Sequence, residues 1–291
     1  MGMPVPSKPD YLIVISPRRK LIIQFVVRSG MKKVVAIVGP SERWMPLCRE
    51  HRHLADFVCA SPLRAEPNDD SNISLFLIDM LSGRFEVLVA TCPTAVEAFV
   101  TMAKKRKMLD RAKEAVAKAE LIVIGDRTAQ SAVRNGLKVA SVAPEATTEA
   151  LVQHINSKPR RGTVALMRSD QGSKLLVEDL KATGWKVEDV PVYSLLLDER
   201  EDMQDIMERL DHGNVDVLVF PTPAHAQAFL VQLEERCGED EALSLLEGLV
   251  IAAMGQETKG KLESYGIKVS LVPDKAEPSA LIRKLLEHLD V

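Results

Sequence analysis

Aromatic residues are scarce. Phe, Tyr and Trp together make up 4% of the 291 residues, too few for the stacking platforms on which single-stranded nucleic acid is bound. An excess of positive charge is also missing. The formal net charge is −3, which speaks against a general nucleic-acid binder or a membrane-surface binder. No run approaches the roughly 20 consecutive apolar residues of a membrane span. Near the N-terminus KLIIQFVV follows PRRK, but no small-residue cleavage site comes after it. What remains is 46% hydrophobic and 27% charged, the balance of an ordinary soluble globular protein. The length suggests two domains, each long enough to bury a core.

Cysteine is sparse as well. The four cysteines, Cys48, Cys59, Cys92 and Cys237, form no C-x-x-C pair, a usage that fits reduced thiols in a cytoplasmic protein. Cys48, His51, His53 and Cys59 fall close together and could in principle hold zinc. However, Cys48 sits in a helical pattern and Cys59 in the strand-like ADFVCA, so core thiols and exposed histidines are the expected reading. No metal is expected.

The familiar catalytic signatures are missing too. No G-x-G-x-x-G follows a strand and no G-x-x-x-x-G-K-[ST] occurs, so neither a dinucleotide site nor a P-loop is expected. G-x-S-x-G and H-E-x-x-H are also absent.

What is present is a repeat. Displaced by 130 residues, EVLVATCPTAVEAF (86–99) lies over DVLVFPTPAHAQAF (216–229). In the same frame IGDRTAQSAVRNGLKV (124–139) lies over MGQETKGKLESYGIKV (254–269). Pro93/Pro223, Phe99/Phe229, Gly125/Gly255, Thr128/Thr258 and Gly136/Gly266 coincide without a gap. Upstream, 33–63 resembles 163–193 more weakly. The short runs VVAIV, VLVA, LIVI, TVALM, VLVF and LVIAAM are apolar on both faces, as buried parallel strands are. Helical patterns separate them. Ser41, Thr147, Ser173 and Ser279 are candidate N-caps, and Gly136, Gly184 and Gly266 stand where C′ glycines belong. The expected class is therefore α/β, two doubly wound lobes with parallel sheets. Met31-Lys32-Lys33 before VVAIVGP reads as a natural start, leaving residues 1–30 as a weakly ordered extension.

In such sheets ligands bind outside the carboxyl ends of the strands. This singles out Thr91-Cys92-Pro93-Thr94, Gly125 to Thr128, Arg168 to Ser173, Pro221-Thr222-Pro223 and Gly255 to Thr258, facing a cleft between two lobes. Hydroxyls and backbone N–H groups at helix starts suit carboxylates, and the same hydroxyls can cap their helices. Pro221 would end a strand ladder, and Pro223 suits a helix's first turn. His225 follows one of these loops, but its repeat counterpart is Ala95, which favours a structural or surface role over that of a general base.

At these residues the chain resembles the uroporphyrinogen-III synthase family. FEVLVATCPTAVEAF, VIGDRTAQSAVRNGLKVASVAPEATTEALVQHI, GTVALMRSDQGSKLLVEDLKATGWKVEDVPVYSL and VLVFPTPAHAQAF through MGQETKGKLESYGIKV carry the likeness over about 33–291. The resemblance implies two Rossmann-like lobes joined by a two-stranded connector. Residues 31–62 and 198–291 would form one lobe and 68–190 the other, with 63–67 and 191–197 connecting them; the repeat alone suggests a cut near 163. It also implies cyclisation of hydroxymethylbilane to uroporphyrinogen III, with loss of water, inversion of ring D and no cofactor. By the same carry-over Tyr193 assists departure of the hydroxyl, or else packs its ring in the connector. Thr91, Cys92, Thr94, Thr128, Arg168, Ser169, Thr222 and Thr258 are the substrate-binding candidates. The partners implied are a linear tetrapyrrole and, transiently, hydroxymethylbilane synthase, with the protein itself a monomer. A non-catalytic ligand-binding or regulatory protein of the same fold is the alternative. Three positions depart from the family pattern. Val38-Gly39-Pro40 lacks the usual arginine, with Arg43 nearby; Cys92 replaces a serine; and Glu257 lies among presumptive carboxylate binders.

Overall fold

The computed structural model describes residues 32–144, 147–158, 162–172, 174–198 and 201–289. The extension expected at 1–30 and the cap expected at Ser173 lie outside the described residues. Along the chain run β1 (Lys33–Val38), α1 (Ser41–Glu50), β2 (Ala55–Ala60), β3 (Leu63–Pro67), α2 (Ser71–Leu81), β4 (Val87–Ala90), α3 (Pro93–Lys105), α4 (Leu109–Lys118), β5 (Glu120–Ile124) and α5 (Gly125–Arg134). They are followed by β6 (Ser141–Ala143), α6 (Thr148–Asn156), β7 (Thr163–Ser169), α7 (Lys174–Ala182), β8 (Lys186–Leu197) and α8 (Glu201–Asp211). The last elements are β9 (Val217–Phe220), α9 (Pro223–Cys237), α10 (Glu239–Leu246), β10 (Val250–Ala253), α11 (Gln256–Glu263) and α12 (Pro278–His288). No described helix is long and apolar enough to cross a membrane.

The described residues divide into two compact units, one of 32–60, 204–226 and 233–289, the other within 61–203 and 227–232. The first contains a four-stranded parallel sheet in the order β10-β9-β1-β2. The second contains six strands in the order β3-β8-β7-β4-β5-β6. Five of these are parallel, and β3 joins antiparallel to β8, with Leu63 opposite Leu197 and Pro67 opposite Tyr193. These two strands, which include the segments expected as connectors, lie in the sheet of the second unit of this α/β, two-sheet architecture.

Each sheet buries both faces, as unalternating apolar runs require. In the six-stranded sheet Leu88, Leu121, Ala165 and Met167 pack with Phe76, Val96 and Phe99 on one side. Val87, Val89, Ile122, Val164 and Leu166 pack with Leu151, Ile155, Leu176 and Leu180 on the other. In the four-stranded sheet Val35, Ile37, Val217 and Val219 meet Trp44, Cys48, Leu281 and Leu285. Each such fully buried side chain contributes about 1.5–3 kcal/mol.

The repeat is visible in the hydrogen bonding. Val250 stands opposite Val217 and Glu120 opposite Val87, a displacement of 130 in both strands. The bridge Ala252–Leu271 matches the pair Ile122–Ser141 in the same frame. Two carboxylates repeat as well. Asp216 accepts the N–H of Val34 at 2.9 Å and Glu86 that of Thr163 at 2.5 Å, each tying the start of a strand to its neighbour. The upstream match is different. Val35 faces Val217 but Val164 faces Val87, so β1 and β7 are related by 129 residues, one fewer than the direct alignment of 33–63 with 163–193. A strand buried on both faces has no alternation to pin its frame, so a slip of one residue leaves no trace in the sequence.

Helix ends follow local chemistry. Thr147 caps α6 by accepting from Ala150 N–H, as expected. Gly136, Gly184 and Gly266 all have positive φ; after Gly136 the Leu137 N–H reaches back to the Ala132 carbonyl at 2.9 Å, closing a Schellman turn. Ser41 and Ser279 are not caps. Proline displaces them: Pro40 takes the cap position of α1, and Pro278 opens α12 with Glu277 before it. A fixed φ and a missing N–H suit proline to that first turn.

Candidate active site

In each sheet the chain winds outward in opposite directions from two adjacent strands, which creates a switch point at their carboxyl ends, the usual place for a ligand. In the six-stranded sheet these strands are β7 and β4; in the four-stranded sheet they are β1 and β9.

At the first switch point β4 ends in Thr91-Cys92 and β7 in Arg168-Ser169. The β7–β8 ladder is irregular here: Arg168 faces Pro191, while Ser169 faces Tyr193, skipping Val192. This bulge brings Tyr193 to the switch point. Its phenol lies 3.4 Å from the Cys92 thiol and is hydrogen-bonded to Ser169. Tyr193 is 8% exposed, with its ring in the core cluster of Phe76 and Phe99. Burial, followed by the neighbouring Cys92, pushes the phenol well above its ordinary range, against a smaller opposing effect of Ser169. Tyr193 therefore keeps its proton at neutral pH.

Arg168 belongs to the same strand end but is 5% exposed. Its Nε and Nη2 meet the two carboxylate oxygens of Asp189, each at 2.7 Å, in a bidentate pair. Gly172 lies so close that a Cβ there would stand 2.7 Å from the guanidinium carbon. Asp189 went unremarked in the sequence. The clue available was a strand-end arginine in a buried run, which needs a carboxylate partner from the adjoining strand.

The remaining candidates are spread along the strand ends. Thr94 lies in the first turn of α3, half-buried. Thr128 and Thr258 are buried in the first turns of α5 and α11, one strand away from their switch points. The N-termini of α3, α5 and α11 have no side-chain cap, which leaves backbone N–H groups available to an anion.

At the second switch point Pro221 ends β9, and Thr222 caps α9 by accepting the His225 N–H at 3.3 Å. The same hydroxyl lies 2.7 Å from His225 Nδ1. Burial, with a smaller contribution from the positive charge of Arg43, lowers the His225 pKa from 6.5 to about 4. The imidazole is therefore neutral at physiological pH. The sequence pointed to Thr222 but not to its pairing with His225; a histidine three residues after a capping threonine was the available signal.

This shift has a sign that can be tested. The unfolded chain protonates His225 first, so the stability it contributes is complete above about pH 6.5 and is lost as the pH falls toward 4. The loss is on the order of 2–3 kcal/mol. Urea melts at pH 7 and pH 4 are expected to show a smaller acid loss for His225→Gln than for wild type. Equal losses in both would contradict this.

Of the cysteine–histidine group, Cys48 and Cys59 are core thiols hydrogen-bonded to each other, a contact that together with burial raises the Cys59 pKa. His53 is exposed and His51 half-buried. Among the described residues no group of three or more His, Cys, Asp or Glu side chains is placed to hold a metal ion.

Comparison with known proteins points to one family. The family model "Uroporphyrinogen-III synthase HemD" matches residues 47–283. A uroporphyrinogen-III synthase of Chlorobaculum parvum is 27% identical over 167 residues, covering 57% of this chain and 65% of that protein, so less than two thirds of the relative is matched. Among solved structures, a mutant uroporphyrinogen III synthase from Thermus thermophilus superposes with a TM-score of 0.59 at 19% identity, covering 89% of this chain and 99% of the other. The uroporphyrinogen-III synthetase from Helicobacter pylori gives 0.60 at 17% identity, covering 89% and 100%. At these identities the superpositions establish the fold, and the family model establishes kinship over most of the chain: the protein belongs to the uroporphyrinogen-III synthase family.

Proposed function

We propose that this protein is a uroporphyrinogen-III synthase. It closes the linear tetrapyrrole hydroxymethylbilane, with loss of water and inversion of ring D through a spiro intermediate, to give uroporphyrinogen III. The observation that carries the reading is Tyr193, a phenol kept protonated at a switch point and held between Cys92 and Ser169. The reaction begins when the hydroxymethyl C–O bond breaks and its electron pair goes to oxygen. Tyr193 O–H donates to that oxygen as negative charge builds on it and protonates it, so that the hydroxyl leaves as water, and the proton lost from the terminal carbon of ring D on ring closure restores the phenol. Hydrogen-bond stabilisation of this kind, with positioning of the reacting ring, accounts for the chemistry without a cofactor.

The eight carboxylates of the substrate are recognised by groups that bind anions. Uncapped N–H groups at the starts of α3, α5 and α11 supply donors, and Thr91, Thr94, Thr128, Thr222 and Thr258 stand in or beside the first turns of helices. Arg168, its fork engaged by Asp189, contributes by fixing the strand end that carries Ser169. The protein acts as a monomer and receives its substrate in transient contact with hydroxymethylbilane synthase. The test is an assay coupled to that enzyme and porphobilinogen, followed by oxidation and separation of the porphyrin isomers. Conversion to the type III isomer supports the proposal; type I isomer alone refutes it.

A further inference from the structure

The second switch point contains a group the family resemblance does not predict. His225 comes from the first turn of α9, after β9, and Arg43 from the first turn of α1, after β1, so the two strands flanking the switch point each deliver a nitrogen side chain there. In the other half of the repeat the position of His225 is Ala95, buried in the core. The imidazole is thus an addition to this half and not a requirement of the fold.

Thr222 Oγ1 accepts the His225 backbone N–H at 3.3 Å and lies 2.7 Å from Nδ1, placed to give that nitrogen its hydrogen. A neutral imidazole whose Nδ1 accepts must carry its proton on Nε2. Nε2 has no hydrogen-bond partner among the described residues, and His225 is half-buried, neither sealed in the core nor loose on the surface. A second donor stands at the same corner. The indole N–H of Trp44 is buried and without an acceptor, 2.9 Å from the position a Cβ on Gly39 would occupy. Gly39 in turn abuts Pro221, whose Cγ would lie 2.7 Å from that Cβ. The Nε2–H of His225 is therefore the donor this corner leaves for the acceptor of a ligand.

We infer that His225 is a substrate-binding residue: its Nε2–H, held in that tautomer by the Thr222 hydroxyl, donates to a carboxylate of the anionic substrate at the carboxyl ends of β1 and β9. This deepens the proposed function and rests on it for the identity of the substrate.

The test compares wild type with His225→Ala, His225→Gln and Thr222→Val. KM and kcat for hydroxymethylbilane are measured in the coupled assay, and the Kd for uroporphyrin III, a stable octacarboxylate, is measured by fluorescence titration. A hydrogen bond to a charged group is worth about a tenfold change or more in affinity. His225→Ala is expected to raise KM and Kd about tenfold with kcat within about twofold. His225→Gln, which keeps an N–H donor, should recover most of that loss, and Thr222→Val should fall between. Wild-type KM and Kd in His225→Ala would overturn the inference, as would a Gln variant as impaired as the Ala variant. If His225→Ala does not fold, unchanged KM and Kd in Thr222→Val would overturn it equally. Should wild type fail to convert hydroxymethylbilane, the proposed function falls and the Kd series alone decides: weakened uroporphyrin III binding in His225→Ala supports the residue's role, while unchanged binding, or none by wild type, refutes it.

Discussion

Tyr193→Phe is expected to lower turnover by about 100-fold or more while costing only about 1 kcal/mol of stability. The first figure is the low end of what a positioned proton donor contributes to a reaction whose leaving group gathers negative charge as its bond breaks. The second is the usual net worth of one hydrogen-bonding hydroxyl. The two separate because the ring and the oxygen have different surroundings. The ring packs in the core cluster with Phe76 and Phe99, and phenylalanine keeps that packing. The oxygen faces Cys92 at 3.4 Å and Ser169, at the end of the sheet. Because burial raises the phenol's pKa, wild-type turnover should show no loss attributable to Tyr193 ionisation through neutral and mildly alkaline pH. Steady-state kinetics and a urea melt on the same preparation check both halves. Full turnover in the Phe variant would remove Tyr193 from the mechanism.

Asp189→Ala is expected to destabilise the protein by about 3 kcal/mol, a large fraction of the total for any domain. The Arg168 side chain is 6% exposed, and both of its bonds to Asp189 are 2.7 Å long. Truncating the carboxylate strands a buried positive charge, and stranding a charge costs far more than the net value of the pair. Asp189 itself is 45% exposed, so water takes over part of its role, which places the expected loss at the lower end of the range for buried pairs. Asp189→Asn keeps one acceptor and should lose about half as much. The measurement is the urea midpoint at constant slope; an unchanged midpoint in Asp189→Ala would mean that solvent fully replaces the carboxylate.

The architecture was legible because several signals agreed. Short apolar runs, C′ glycines at Gly136 and Gly266, and Pro223 after the strand VLVF all marked the same boundaries in both copies of the repeat. What escaped were details decided by three-dimensional neighbours. The frame relating β1 to β7 is displaced by one residue, and strands buried on both faces have no alternation that would reveal it. Ser41 and Ser279 look like caps by composition, but the preceding or adjoining prolines set the helix starts. For the site, Cys92 and Ser169 stand in strand-end loops and Tyr193 was singled out by the family resemblance, whereas their meeting depends on a bulge that skips Val192. The Arg168–Asp189 pair is a contact between neighbouring strands whose register the sequence does not specify. His225 read as structural or surface because its repeat counterpart is Ala95; its 2.7 Å contact with Thr222 is visible only in the structure.

The most direct test of the account is the isomer ratio of the porphyrin formed when purified protein is added to porphobilinogen and hydroxymethylbilane synthase. Without it, spontaneous closure gives the type I isomer. The account predicts that the type III fraction rises with the amount of this protein until it dominates, and that Tyr193→Phe at equal concentration leaves type I in excess. A product that stays type I at every concentration of the wild-type protein would contradict it.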